Sequence, residues 1–199
     1  IMFEYPNFNV VGEEWSINPA ITAYWQRGSK RHDDYESYLP SVFDFALQDA
    51  VVKSLTQEES WGTGWISTYT SLANDFLYGD PGNLVIFPDN HDMSRIHSQL
   101  NEDVALTKMA MAILATMRGT PQIFYGTEIL MANPGTDDHG IIRSDFAGGW
   151  QSDVVNGFTG KGLGVKQAEM QAYTKALLQW RKTADAIHHG KLIHYIPKE

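Results

Sequence analysis

Four short apolar runs punctuate the chain, and helical periodicity returns between them. The runs are Phe8–Val11, Val42–Leu47, Leu84–Phe87 and Gln122–Tyr125. After the first, Asn18 and Pro19 supply an N-cap and a first helical residue, so a helix is expected from Pro19 to Trp25. Helices are expected from about Gln48 to Thr56, around Ile66 to Tyr78, and from Glu102 to Thr116, with Gly119 ending the last. A long polar stretch from Asn133 to Gly164 carries no periodicity. Beyond it Met170, Tyr173, Leu177 and Trp180 recur at helical spacing. Leu192 to Ile196 reads as a strand that begins something new. Strands that are apolar almost throughout, alternating with helices, imply a parallel α/β fold with right-handed connections. Strands are therefore expected near 8–12, 42–46, 84–87 and 121–125, parallel and adjacent in that order.

Composition narrows the function classes. The chain has 199 residues, 43% hydrophobic and 20% charged, which suffices for a buried core. Fifteen basic against 24 acidic residues give a net charge of -9, dispersed along the chain, which argues against nucleic acid as a partner. No apolar run reaches the length of a membrane span, so no membrane partner is expected. With no cysteine, disulfides and thiolate zinc sites are excluded. The chain opens at Ile1 and runs within a few residues into an apolar run, so it reads as starting in mid-domain, with any targeting segment upstream.

Chemistry-bearing residues gather after the apolar runs. The first leads into Gly12-Glu13-Glu14-Trp15, the third into Pro88-Asp89-Asn90-His91-Asp92, and the fourth into Gly126-Thr127-Glu128. Loops at the carboxyl ends of parallel strands converge on one mouth, where active sites of such folds lie. Glu13 alone reads as a helix cap or a surface residue, and His91 alone as a structural histidine. Asn90-His91-Asp92 together, with a second carboxylate at another strand end, favour a functional site. Two carboxyl groups facing one cleft are what glycoside hydrolysis requires. His91, Asp92, His97 and His139 match no strong metal spacing, and there is no Gly-x-Ser-x-Gly elbow for a serine hydrolase. Glu128 reads as a capping or supporting residue.

Three segments together carry a family resemblance. Phe87-Pro88-Asp89-Asn90-His91-Asp92 resembles the motif after the seventh barrel strand of α-amylase-family glycoside hydrolases. Val11-Gly12-Glu13-Glu14-Trp15 resembles the motif after their fifth strand, and Gly119 to Glu128 resembles their eighth strand, all in the family's order. Phe43-Asp44-Phe45 resembles the sixth strand of the neopullulanase and cyclomaltodextrinase group. Arg143-Ser144-Asp145-Phe146 and Gly148-Gly149-Trp150 resemble a loop of neopullulanase-like enzymes of gut Bacteroidetes.

The resemblance implies half of a TIM (β/α)8 barrel, strands five to eight with their helices, over residues 1–190, and the start of a C-terminal β domain at 191–199. It implies catalytic roles for Glu13, as the acid and later the base, and for Asp92, which binds sugar hydroxyls and distorts the ring. It makes His91 a substrate-binding residue. Asn90, Trp15 and Arg95 would shape the cleft, and Arg143 or Asp145 would lie near a glucose subsite. α-Glucan oligosaccharides are the implied partners, with starch, pullulan and cyclodextrins among the substrates. No cofactor and no metal are implied, because the family's calcium ligands usually lie in a domain without counterpart here. The nucleophilic Asp of a retaining mechanism, whose carboxyl pair stands about 5–5.5 Å apart, has no counterpart either. The chain is thus expected to be inactive alone, to need the N-terminal half of the barrel, and either to self-associate through its open sheet edges or to be part of a longer protein. A non-catalytic amylase-like binding protein, a transglycosylase and an isomerase are the alternatives, and a periplasmic location is expected.

Overall fold

A computed structural model describes residues 1 and 3–195. The chain divides into two units: residues 1–87 with 117–122 and 189–199, and residues 88–116 with 123–188.

The first unit contains the four strands of the described residues, β1 (Val11–Gly12), β2 (Ser41–Val42), β3 (Val85–Ile86) and β4 (Thr120–Pro121). β1 pairs with β2 and β3 with β4, both in parallel. A parallel bridge from Phe43 to Val85 joins the pairs, and the Asp44 N–H donates to the Val85 carbonyl at 2.9 Å. The order and direction are those expected from the apolar runs, but each ladder spans two residues only.

The second run is short because Asp44 turns it into a helix. Its side chain accepts the Leu47 N–H at 3.0 Å and caps α2 (Phe45–Thr56). Phe45 and Ala46, expected at the end of a strand, therefore form the first helical turn with Leu47. The fourth strand lies earlier than expected, at Thr120 and Pro121. Gly119 has φ +98°, and a Cβ there would stand 2.7 Å from the Leu84 carbonyl. Only glycine lets the chain enter this close to β3. The Thr120 and Gln122 N–H groups then donate to the Leu84 and Ile86 carbonyls, both at 2.8 Å.

Asn18 caps α1 (Pro19–Tyr24) as expected, accepting the Ala20 N–H at 3.0 Å. α3 (Ile66–Ala73) ends before Tyr78 and tightens into a 3-10 turn at Asp75–Leu77. α2 and α3 meet through the Ser54 and Thr68 hydroxyls, 2.8 Å apart in a buried contact. Ala23, Val42, Tyr78 and Leu84 form one core cluster. Phe43 and Phe45 pack their rings on Phe87 with centroids 5.5 and 4.9 Å apart. Beside them the Arg118 guanidinium holds Asp44 at 2.8 Å and pairs with Asp75.

The second unit contains α4 (Ile96–Gln99), α5 (Val104–Thr116), α6 (His139–Ile142), α7 (Val165–Arg181) and α8 (Asp185–His188). α5 starts later than expected. Asn101 and Glu102 take left-handed φ of 56° and 53°, and Asp103 becomes the cap, accepting from Ala105 and Leu106 N–H. The one-turn α4 has too few residues to show a period and was not expected. The polar stretch from 133 to 164 is not structureless either: Asp138 accepts the Gly140 N–H and caps α6. α7 packs on α5 with Met170 fully buried, while Trp180, expected on the same face, is half-exposed. Of the strand expected over 192–196, Leu192–Tyr195 carry no regular element, and Ile196, with the rest of the C-terminal segment to 199, lies outside the described residues.

Candidate active site

The loop after β3 is organised from its inside. Asp89 has no exposed surface. One of its oxygens accepts the Ile96 N–H at 2.8 Å, and the Thr127 hydroxyl lies 3.1 Å from both. Burial pushes its carboxyl up to about 6. The Ile96 N–H, the Arg95 charge and the Thr127 hydroxyl pull the other way, and Glu128 adds slightly to the rise. Asn90, also buried, turns back so that its side-chain oxygen accepts the Asp92 N–H at 2.9 Å. This is an Asx turn, and it fixes the backbone direction just before Asp92.

Arg95 lies beneath the loop with 1% of its surface exposed. Its Nε donates to the Ile142 carbonyl at 2.9 Å, and Nη1 donates to the Tyr125 carbonyl. The guanidinium carbon stands 3.9 Å from the Phe124 ring centroid, a cation–π contact inside the protein. Burial lowers its pKa, opposed by the Asp89 charge. Arg95 was expected to shape the cleft and bind substrate; instead its buried guanidinium braces the loop from beneath and is not presented to a ligand. Asn133 adds a second tie. Its side chain accepts the Arg95 N–H at 2.7 Å and donates to the Ser94 hydroxyl at 3.0 Å, and its own N–H reaches the Ser98 hydroxyl at 2.8 Å.

On the outer side of the loop the structure brings four polar side chains together. Arg143, at the C-terminus of α6, donates from Nη2 to Asp92 Oδ1 at 2.5 Å and from Nε to the His91 carbonyl at 2.8 Å. The same Nη2 lies 2.6 Å from His139 Nδ1. A guanidinium only donates, so His139 Nδ1 is the acceptor and its proton sits on Nε2. His91 Nε2 stands 3.4 Å from Asp92 Oδ2. About half of each of the His91 and His139 side chains and a third of Asp92 remain exposed. The cluster therefore presents one carboxylate oxygen and imidazole nitrogens to the outside, with an arginine neutralising the other carboxylate oxygen. Such a set binds vicinal hydroxyls by accepting and donating at once. Among the described residues no group of three or more His, Asp or Glu side chains is placed to hold a metal ion.

Other expected residues fall elsewhere. Glu13 is exposed in the segment after β1, and the helix cap it was weighed for falls to Asn18. Trp15, half-exposed, stacks on Phe45 with centroids 4.8 Å and planes 22° apart. Both belong to the first unit. Asp145 accepts the Trp150 indole N–H at 2.7 Å, which shapes its own loop. Glu128 accepts the Gly126 N–H at 2.8 Å, the supporting role expected of it. Sequence reasoning missed His139 as a companion of Asp92, and Asn133 and Thr127 as supports. Asn133 carried a readable signal, standing directly before Pro134 where a polar side chain starts a turn.

Parallel strands joined through helices, with carboxylates and imidazoles in the segments that follow the strands, define an α/β enzyme fold with its chemistry at the strand ends. The comparisons with known proteins make this specific. Residues 1–190 match the alpha-amylase catalytic domain, and the chain belongs to that family. It is 25% identical over 206 aligned positions to alpha-amylase 3 of Dictyoglomus thermophilum, covering 94% of this chain and 38% of the relative. A cyclomaltodextrin glucanotransferase of Paenibacillus macerans is 33% identical over 105 positions, covering 53% of this chain and 14% of the relative. In structure the chain is similar to an alpha-amylase of Geobacillus thermoleovorans complexed with acarbose. The TM-score is 0.65 at 24% identity, over 92% of this chain and 35% of that one. The chain thus spans well under half the length of these relatives, and its fold is that of part of a TIM barrel.

Proposed function

We propose that these residues are strands five to eight of the catalytic barrel of a retaining enzyme of α-1,4-glucans, of the neopullulanase and cyclomaltodextrinase type. Its substrates are starch, pullulan, cyclodextrins or maltooligosaccharides. The observation that carries this reading is the clamp of Arg143 on Asp92 at 2.5 Å, with His91 beside it. An arginine held there keeps the carboxylate aimed, as a residue that grips sugar hydroxyls and favours a distorted ring must be. Glu13 takes the acid role. Its carboxyl proton passes to the glycosidic oxygen as the bond from that oxygen to the anomeric carbon breaks. A carboxylate outside these 199 residues takes the anomeric carbon as a covalent ester. Glu13, now ionised, removes a proton from the water that displaces this ester. A sugar hydroxyl in place of that water gives transfer. The glucanotransferases among the relatives favour keeping this second reading.

Glu13→Gln in the intact protein tests the assignment. Hydrolysis of maltooligosaccharides is expected to fall by about 10²–10⁴-fold, the usual range for a lost general acid. Cleavage of α-glucosyl fluoride, whose leaving group needs no proton, should fall far less in its first step. Equal loss on both substrates would move the acid role away from Glu13. Product analysis on starch, pullulan and cyclodextrins separates hydrolysis from transfer.

A further inference from the structure

The Asp89 carboxyl has an arrangement at odds with a permanently ionised group. It is wholly buried, makes no ion pair among the described residues, and faces two donors, the Ile96 N–H and the Thr127 hydroxyl. The nearest cation, Arg95, is turned to the Ile142 and Tyr125 carbonyls instead. The two donors favour the charge, but complete burial without an ion pair outweighs them and favours the neutral acid, which the same partners can serve. Its carbonyl oxygen accepts from Ile96 at 2.8 Å, and its hydroxyl donates to the Thr127 oxygen 3.1 Å away. The chain between Asp89 and Ile96 is closed into a loop by the first of these bonds, and His91 and Asp92 ride on that loop.

We propose that Asp89 is a positioning residue that acts as a latch in its neutral form: as the acid it holds the loop bearing His91 and Asp92 closed, and its ionisation loosens that loop. The consequence for substrate rests on the function proposed above; the latch itself does not. The direction follows from linkage. Closed, the carboxyl titrates at about 6; in an open, solvated loop it returns to the ordinary aspartate value of about 4. Its contribution to closure is complete below pH about 4 and is lost as the pH rises through about 6. Two charged groups bear on it. Arg95, from the same loop, favours ionisation, and Glu128, from the turn after β4, opposes it. The opening equilibrium changes about tenfold per pH unit between the two values, so about 100-fold in all.

Asp89→Asn is the diagnostic variant. The amide reproduces the neutral acid, accepting from Ile96 through oxygen and donating to Thr127 through nitrogen, and it does not titrate. In the intact protein, hydrogen exchange of peptides spanning 88–97, corrected for intrinsic rates, is followed from pH 4.5 to 8. Wild type is expected to lose protection as the pH rises, by about 25-fold over this range, and Asp89→Asn to stay flat at the low-pH level. KM for maltooligosaccharides should rise with pH in wild type and not in the variant. Protection in wild type that is constant or grows with pH overturns the latch, and this needs no variant to fold. So does a variant that keeps the wild-type pH dependence. Exchange as expected in a protein that cleaves no α-glucan leaves the latch standing and removes the proposed function. Cleavage with pH-flat exchange does the reverse.

Discussion

Arg143 serves three acceptors at once: the Asp92 carboxylate, the His91 carbonyl and the His139 imidazole. An exposed arginine adds little to stability through such a contact, roughly 0–1 kcal/mol. Its value lies in direction, since a carboxylate that must meet a sugar loses much of its effect when it swings by an ångström. Arg143→Gln is therefore expected to unfold within about 1 kcal/mol of wild type in urea. The same variant in the intact protein should lose about 10²-fold in kcat/KM on maltooligosaccharides. Loss of stability without loss of activity would make Arg143 a packing residue. The resemblance had put Arg143 near a glucose subsite, and its contact with Asp92 links it to that loop. No pattern in the sequence announced the contact, because the two residues stand 51 positions apart.

At the scale of elements, Asp44 holds two together. It caps α2 through Leu47 and accepts from Arg118, which precedes β4, with both side chains nearly buried. Asp44→Ala removes the cap and leaves a buried guanidinium with Asp75 as its remaining carboxylate. A loss of about 3–5 kcal/mol is expected, the usual cost of breaking a buried pair. Asn18→Ala, which removes only the α1 cap, should cost about 1 kcal/mol. Urea unfolding of the two variants side by side checks the difference. Equal losses would show that the Arg118 pair contributes nothing. Element type and order were legible in the sequence because apolar runs and caps are local signals. Asn18 with Pro19 was read directly. Where Asp44 bends a run into a helix, or Asn101 and Glu102 delay one, the cause is a single side chain or backbone angle that periodicity does not carry. Three strand-end motifs gave the candidate site, while its supports, Asn133 and Thr127, act across 38 residues of sequence; Asn133 before Pro134 was legible as a turn residue, but the partners of both were not.

For the molecule as a whole, the sheet order leaves β1 and β4 each with a single strand partner among the described residues. Phe8 and Val11 beside and within β1 are about half-exposed. Open parallel edges with apolar side chains invite pairing with another chain. The 199-residue chain by itself is expected to associate as its concentration rises, seen by light scattering, and to cleave no maltooligosaccharide. A monomer at all concentrations that hydrolyses them would defeat the proposal that the nucleophilic carboxylate lies outside these residues.

The ties between the two loops of the second unit bear on transplantation. Asn133 and Asp137 grip residues 94–98, and Arg143 grips His91 and Asp92, so one segment clasps the other at both ends. Residues 88–98 moved alone into a relative would arrive with Asn133's three bonds broken and Asp92 unheld. A cassette that carries its own geometry needs 88–98 and 133–143 together with 124–127, which hold Arg95 and Asp89, and substitutions drifting into one part constrain those the others can accept.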